Sequence, residues 1–312
     1  MRPIVIAHRG ASGYLPEHTL AAKALAHEMG ADYLEQDVVA SRDDVLIVLH
    51  DIYLDRVTDV ATRFTGRQRQ DGRYYARDFD LDEILSLKAW ERMRADGSPV
   101  YANRYPPKSG DFRLCTLAEE LETIQKLNAE SGKQVGIYPE IKRPAWHREE
   151  GVDIAPMLLK ALADFGYAQR SDPVFVQCFD DAEIARLRQE LNCPFKLVQL
   201  IGENSWGEAA TDYDMLRSPR GIRDIAQTAD AIGPHLAHLY GLDKSTSAPL
   251  ANDLVRLAHE SGLAVHPYTF RADDIPADFS SFKDLVQFFV ADIGVDGLFT
   301  DFPDQVVQLR SN

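Results

Sequence analysis

The sequence has little of what would staple a chain covalently or seat it in a bilayer. Its 312 residues include three cysteines, Cys115, Cys178 and Cys193, with no CxxC spacing and no even-numbered framework. That excludes a disulfide scaffold and a thiolate zinc site. The three read as free thiols in or near the core, compatible with a reducing compartment. No apolar run approaches the ~18 residues of a membrane span. A basic excess is also missing: 34 Lys and Arg face 49 Asp and Glu, for a net charge of −15. Nucleic acid is therefore not the expected partner, although a small phosphate compound can still meet a locally positive pocket. The start lacks the basic segment, longer apolar core and small-residue site of a secretory signal. The chain as given is expected in the cytoplasm, or in the periplasm if it is a trimmed mature form.

What is present is alternation. Strand-like apolar runs occur at Ile4 to Ala7, Tyr33 to Val39, Val45 to Leu49, Val135 to Ile141, Val174 to Phe179, Phe195 to Ile201, Ala229 to Ile232, Ala264 to Tyr268 and Gly297 to Thr300. Amphipathic helices separate most of them, which favours a parallel sheet with helical crossovers. Eight or nine such runs predict an α/β fold of the (β/α)8 TIM-barrel type, with residues 1–312 forming one domain. Thr116 and Glu119 form a capping box before Leu117, with Gly132 beyond that helix. Asp180 caps a helix carrying Ile184, Leu187 and Leu191. Thr19 caps the helix Leu20 to Met29, and Ser247 with Pro249 is expected to start one that runs to Gly262.

One stretch breaks the pattern. Residues 51–112 are rich in Arg, Asp, Gly, Pro and Tyr, and their one clear helix is Leu81 to Leu87. This predicts an insertion after the third strand, lying over the barrel mouth.

Barrel chemistry gathers at the C-terminal ends of the strands. Those ends carry His8-Arg9-Gly10, then Glu35-Gln36-Asp37, then His50-Asp51, then Glu140-Ile141-Lys142. Residues two apart share a face of a strand, ~6.6 Å apart at ~3.3 Å per residue. Glu35 and Asp37 therefore face inward with Tyr33, and Glu140 and Lys142 with Tyr138. Leu34 and Val38 face the helices, a face that Gln36 interrupts. Three converging carboxylates are costly to bury. Arg9 and Lys142 offset part of that cost, and a hard dication offsets more, with Ca2+ or Mg2+ as the natural occupant. His8 and His50 are suited to proton transfer at neutral pH, and Arg9 and Lys142 to phosphoryl oxygens.

Alone, each residue has an ordinary structural explanation; the ordered set on successive strand ends does not. Gln177 and Phe179, sharing a face at the fifth strand end, fit a substrate-facing or a packing role equally, as do Gln199, Tyr268 and Phe270. Glu17 is placed to fix the first loop. His18 and His27 read as surface or helix-entry residues, and the remaining histidines show no metal spacing.

The motifs His8-Arg9-Gly10-Ala11, Pro16-Glu17-His18-Thr19, Glu35-Gln36-Asp37-Val38, His50-Asp51, Pro139-Glu140-Ile141-Lys142 and Val295-Asp296-Gly297-Leu298-Phe299-Thr300-Asp301-Phe302-Pro303 resemble those of the glycerophosphodiester phosphodiesterase family, in order and across nearly the whole chain. The resemblance implies metal ligation by Glu35, Asp37 and Glu140, catalytic roles for His8 and His50, and a phosphate near Arg9 and Lys142. It implies release of sn-glycerol 3-phosphate and an alcohol such as choline or ethanolamine. Ala11 to Thr19 looks closest to the bacterial periplasmic branch, usually calcium-dependent. A glycerol hydroxyl or a water can be the attacking group. Two alternatives are a phospholipase C or D type barrel acting on intact lipid and a catalytically silent binding module.

Overall fold

Eleven strands form in the computed structural model, which describes residues 2–310: β1 (Ile4–Ala7), β2 (Tyr33–Ala40), β3 (Leu46–Val48), β4 (Gly136–Ile141), β5 (Phe175–Cys178), β6 (Lys196–Ile201), β7 (Ala231–Pro234), β8 (Tyr240–Leu242), β9 (Pro249–Ala251), β10 (Ala264–Val265) and β11 (Gly297–Thr300). Eight of them run parallel in the order β10-β7-β6-β5-β4-β2-β1-β11. Main-chain bonds draw the two end strands together. Asp296 N–H donates to Val265 C=O and Phe299 N–H to Pro267 C=O, each at 3.0 Å, and Phe270 bridges to Thr300. The result is a nearly closed (β/α)8 barrel, as the alternation predicts.

The barrel is filled, not hollow. Ile6, Tyr138, Phe175, Val198, Ala231 and Phe299 pack inside it, and Tyr138 stacks on Phe175 with ring centroids 4.9 Å apart. This apolar plug is the floor of any site at the mouth. The outward faces meet the helices in one larger core. Among the described residues no helix is long and apolar enough to cross a membrane.

Gln36 faces outward as expected, and its partners explain it. Its amide donates to Glu120 Oε1 at 2.8 Å and its carbonyl accepts from Tyr138 N–H at 3.0 Å. Lys23 Nζ also reaches Glu120, at 2.8 Å, and the Glu35 carbonyl. A buried polar network thus sits behind β2, each member bonded.

Three expectations need correction. The third apolar run is not a barrel stave. β3 pairs antiparallel with β2, Val38 opposite Val48, because residues 41–45 form a tight turn, far short of the dozen or more that a parallel crossover needs. The insertion therefore follows a hairpin and precedes the next barrel strand, β4. Its own core of Leu54, Tyr74, Phe79, Ile84 and Leu87 packs on Ile47 and Leu49 of that hairpin. The helix in it spans Leu81–Leu85, and a further short one spans Val60–Arg63.

The second correction concerns Ser247. It lies in the turn of the β8–β9 hairpin, where Asp243 Oδ1 accepts from the Ser245 and Thr246 amides. The helix begins later, at Leu254, whose N–H is taken by Asn252 Oδ1. The caps at Thr19, Thr116 and Asp180, and the left-handed Gly132, are as predicted.

The third correction concerns the surface alternative for His18 and His27. His18 does stand at a helix entry, directly before the cap Thr19, but both side chains are buried, at 1% and 3% exposure. His27 Nε2 lies 3.0 Å from Asn128 Oδ1, between two helices. His18 belongs to the site.

Candidate active site

Strand register assembles the centre. Asp37 on β2 lies opposite Glu140 on β4, and Glu140 opposite Gln177 on β5. Glu35 sits one inward position deeper, beside Tyr138. One oxygen each of Glu35, Asp37 and Glu140 falls within 4.8 Å of the other two. All three side chains are buried.

Each carboxylate is held by named partners. Glu35 accepts from Arg9 N–H at 2.8 Å and from Gln177 Nε2 at 3.0 Å. Asp37 Oδ2 meets His18 Nε2 at 2.6 Å, with Arg9 Nε 3.6 Å away. Glu140 binds Lys142 Nζ at 2.8 Å, and Lys142 lies 3.9 Å from Asp37. Two buried oxygens here, Asp37 Oδ1 and Gln177 Oε1, have no hydrogen-bond partner among the described residues.

The electrostatics follow from crowding. Burial, then Asp37, pushes Glu35 up to about 8. Burial also drives Glu140 well above the carboxylate range, against the pull of Lys142. Burial alone would raise Asp37 too, but Lys142, His50 and His18 hold it well below the usual range. The ligand set is all oxygen, an orphaned carboxylate oxygen sits within it, and two of its members resist ionising. These properties fit a hard dication, which offers the missing positive charge. The cluster can hold a metal ion.

Two imidazoles flank it. His8 Nδ1 lies 2.6 Å from Asp301 Oδ1, and His8 Nε2 lies 3.9 Å from Glu35. His50 Nδ1 lies 2.8 Å from Asp51 Oδ1. Burial, then Arg9, lowers His8 to about 4, and the same pair followed by Lys142 lowers His50 to about 3. Both rings are therefore neutral at pH 7.

A cavity of about 230 Å³ connects these groups. His8, Arg9, Glu35, Asp37, His50, Glu140, Gln177 and Phe179 all line it. Lys142 lines an adjoining cleft with His50 and is engaged by the carboxylates. Tyr268 also lines the cavity, whereas Phe270 is fully buried packing. Gln199 turns its amide to the carbonyls of Phe179 and Leu200.

Several contributors were assigned no role of their own from the sequence. Asp301 and Asp51 back the histidines, and Arg92, Arg104 and Arg271 reach those carboxylates. Trp206 and His235 line the cavity from later loops. Asp301 directly follows a strand end, the position that could have marked it. The arginines sit in irregular loops without periodicity.

The model of the glycerophosphoryl diester phosphodiesterase family matches residues 8–305. The chain belongs to the glycerophosphoryl diester phosphodiesterase family. A glycerophosphodiester phosphodiesterase of Haemophilus influenzae is 42% identical, over 98% of this chain and 89% of its own length. One from Treponema pallidum is 37% identical, over 96% and 90%. Among solved structures, an Oleispira antarctica phosphodiesterase in complex with the product sn-glycerol-3-phosphate superposes with a TM-score of 0.64 at 20% identity, covering 99% of this chain and 97% of the other. At that identity the superposition speaks to the barrel alone. The phosphodiesterase thus has the fold expected of its family, with the polar strand ends of its sequence gathered at one mouth.

Proposed function

We propose that the phosphodiesterase hydrolyses glycerophosphodiesters such as glycerophosphocholine and glycerophosphoethanolamine to sn-glycerol 3-phosphate and the free alcohol, with His8 and His50 as the acid–base pair. The observation that carries this reading is the pairing of two carboxylate-backed imidazoles with one acidic cluster in a single cavity. Family membership supplies the substrate class.

Each histidine directs Nδ1 at a carboxylate, which favours the tautomer with Nδ1–H and leaves Nε2 as the acceptor. One ring takes the proton of the attacking oxygen. The other protonates the leaving alkoxide, its imidazolium favoured once the anionic phosphodiester lies beside it. Arg9, which lines the same cavity, stabilises the phosphoryl oxygens. Phe179, Tyr268 and Trp206 also line the cavity and give it an apolar part. Glu35, Asp37 and Glu140 would hold the metal, with Ca2+ preferred and Mg2+ second. Bound there, a dication supplies Lewis-acid charge that lowers the pKa of a neighbouring hydroxyl.

The test is coupled detection of glycerol 3-phosphate from a panel of glycerophosphodiesters. His8→Ala and His50→Ala are expected to abolish turnover while the circular dichroism spectrum is kept. Chelation is expected to stop the reaction, and Ca2+ or Mg2+ to restore it. Near-normal product release by either variant removes the acid–base assignment. Full activity of verified metal-free enzyme removes the metal.

A further inference from the structure

Two arginines of residues 51–112 reach the carboxylates behind His8 and His50, and the two contacts have the same construction. Arg104 Nη2 donates to Asp301 Oδ2 at 2.6 Å, while the other oxygen of that carboxylate meets His8 Nδ1 at 2.6 Å. Arg92 Nη1 donates to Asp51 Oδ2 at 2.7 Å, while its other oxygen meets His50 Nδ1 at 2.8 Å. Both are chains of guanidinium, carboxylate and imidazole.

Each arginine is itself clamped. Arg92 forks onto Glu17 at 2.9 and 2.6 Å, and Glu17 in turn binds Arg9 at 3.0 Å. Arg104 forks onto Asp273 at 2.8 and 3.0 Å and lies 3.7 Å from the Tyr101 ring centroid. Their side chains are 10% and 4% exposed, so water screens these charges little.

We propose that Arg92 and Arg104 are positioning residues, by which the insertion sets the orientation and tautomer of both histidines. The inference rests on the acid–base reading of His8 and His50. A carboxylate with one oxygen held by a guanidinium cannot swing away from its imidazole and stays ionised. It therefore keeps accepting the Nδ1 proton, and Nε2 keeps facing the cavity. The two arms are not equal. Asp301 also receives Arg271 Nε at 2.8 Å, from the loop before β11. Asp51 has no second arginine within ion-pair distance among the described residues. His50 thus depends on Arg92 more than His8 depends on Arg104.

A purely structural anchor looks different. Arg69 ties the insertion to the barrel through Glu150 and is braced within the insertion by Asp78, and among the described residues neither carboxylate touches a histidine in a hydrogen bond or ion pair. It is the control.

The experiment uses the full chain with Ca2+ added, labelled with 15N in the histidine rings, and glycerophosphocholine as substrate. Ring-nitrogen shifts report the tautomers. In R92Q, His50 is expected to change from the Nδ1–H form to a mixture, with kcat falling on the order of a hundredfold and KM changing far less. R104Q is expected to perturb His8 in the same way but less. R92K, which keeps the charge and loses the fork, is expected to be intermediate, and it carries the test if R92Q does not fold. R69Q is expected to lower the melting temperature and leave both tautomers and kcat unchanged. Wild-type tautomers in R92Q, a tautomer change without loss of kcat, or an equal loss in R69Q each overturns the proposal. An active His50→Ala enzyme instead overturns the underlying acid–base reading, whatever the arginine variants do.

Discussion

His18 presents Nε2 to Asp37 Oδ2 at 2.6 Å, and both side chains are 1% exposed. His18 reaches that position from a left-handed backbone, φ 58°, with its own N–H on the Arg9 carbonyl. One oxygen of Asp37 is thereby fixed, and Oδ1, 3.9 Å from Lys142 Nζ, is left without a hydrogen-bond partner among the described residues, beside Glu35 and Glu140. A group that orients a metal-binding carboxylate typically contributes about tenfold to a hundredfold in metal affinity. His18→Ala is accordingly expected to weaken Ca2+ binding by about that factor, measured by titration calorimetry. Unaltered affinity would show that Asp37 needs no such support.

Lys23 and Glu120 form a fully buried ion pair behind β2, with Lys23 also on the Glu35 carbonyl. Removing one partner of such a pair costs about 3–5 kcal/mol, whereas removing both charges costs far less. Lys23→Met should lose that much stability to urea. Lys23→Met combined with Glu120→Gln should regain most of it, because the introduced amide carbonyl still offers Gln36 an acceptor. Equal stability of the single and double variants would argue that the pair is not coupled.

The barrel was legible because strands buried on both faces leave continuous apolar runs, and caps at Thr19, Thr116 and Asp180 mark where helices start. The acidic cluster was legible because strand periodicity alone puts Glu35 and Asp37 on one face and Glu140 and Lys142 on another. Periodicity says nothing of strand direction, so β3 passed for a barrel stave. The length of the turn at residues 41–45 was the discriminating signal. His18 was misplaced because loop residues have no period, and its burial depends on a left-handed turn folding back onto β2. Gln36 was anomalous until tertiary structure supplied Glu120 and Tyr138. Arg92 and Arg104 act over distances in sequence that no local pattern encodes.

Glu91, in the insertion, is 3% exposed, and its Oε2 has no hydrogen-bond partner among the described residues. Burial, reinforced by Glu17 and opposed by Arg104, pushes it up from the ordinary 4.5 to about 8. The folded protein therefore keeps a proton that the unfolded chain releases above about pH 4.5. Stability from that proton is complete below the unfolded value and is lost as pH rises toward about 8. Glu91→Gln mimics the protonated form. Its melting temperature should match the parent at pH 4 and exceed it at pH 9. A difference that stays constant across this range would mean that Glu91 is ionised in the folded state.

Gly10 closes the turn that carries Arg9 over the cluster. Its φ is +88°, and a Cβ there would sit 2.8 Å from the Ala22 carbonyl carbon and 2.9 Å from its oxygen. These are main-chain atoms of the helix Leu20–Glu28, so the turn has to lift rather than a side chain rotate. The Arg9 N–H that donates to Glu35 at 2.8 Å lifts with it. Gly10→Ala should cost about 1–3 kcal/mol of stability and lower kcat/KM by roughly tenfold or more through misplaced groups. Gly132→Ala is the matched control: its φ is +70°, nothing lies within 4 Å of a Cβ, and it ends the helix Leu117–Ser131 away from the cavity. That variant should carry only the left-handed penalty and keep its kinetic constants. If both variants lose activity alike, the close approach of Gly10 to Ala22 is not what seats Arg9 on Glu35.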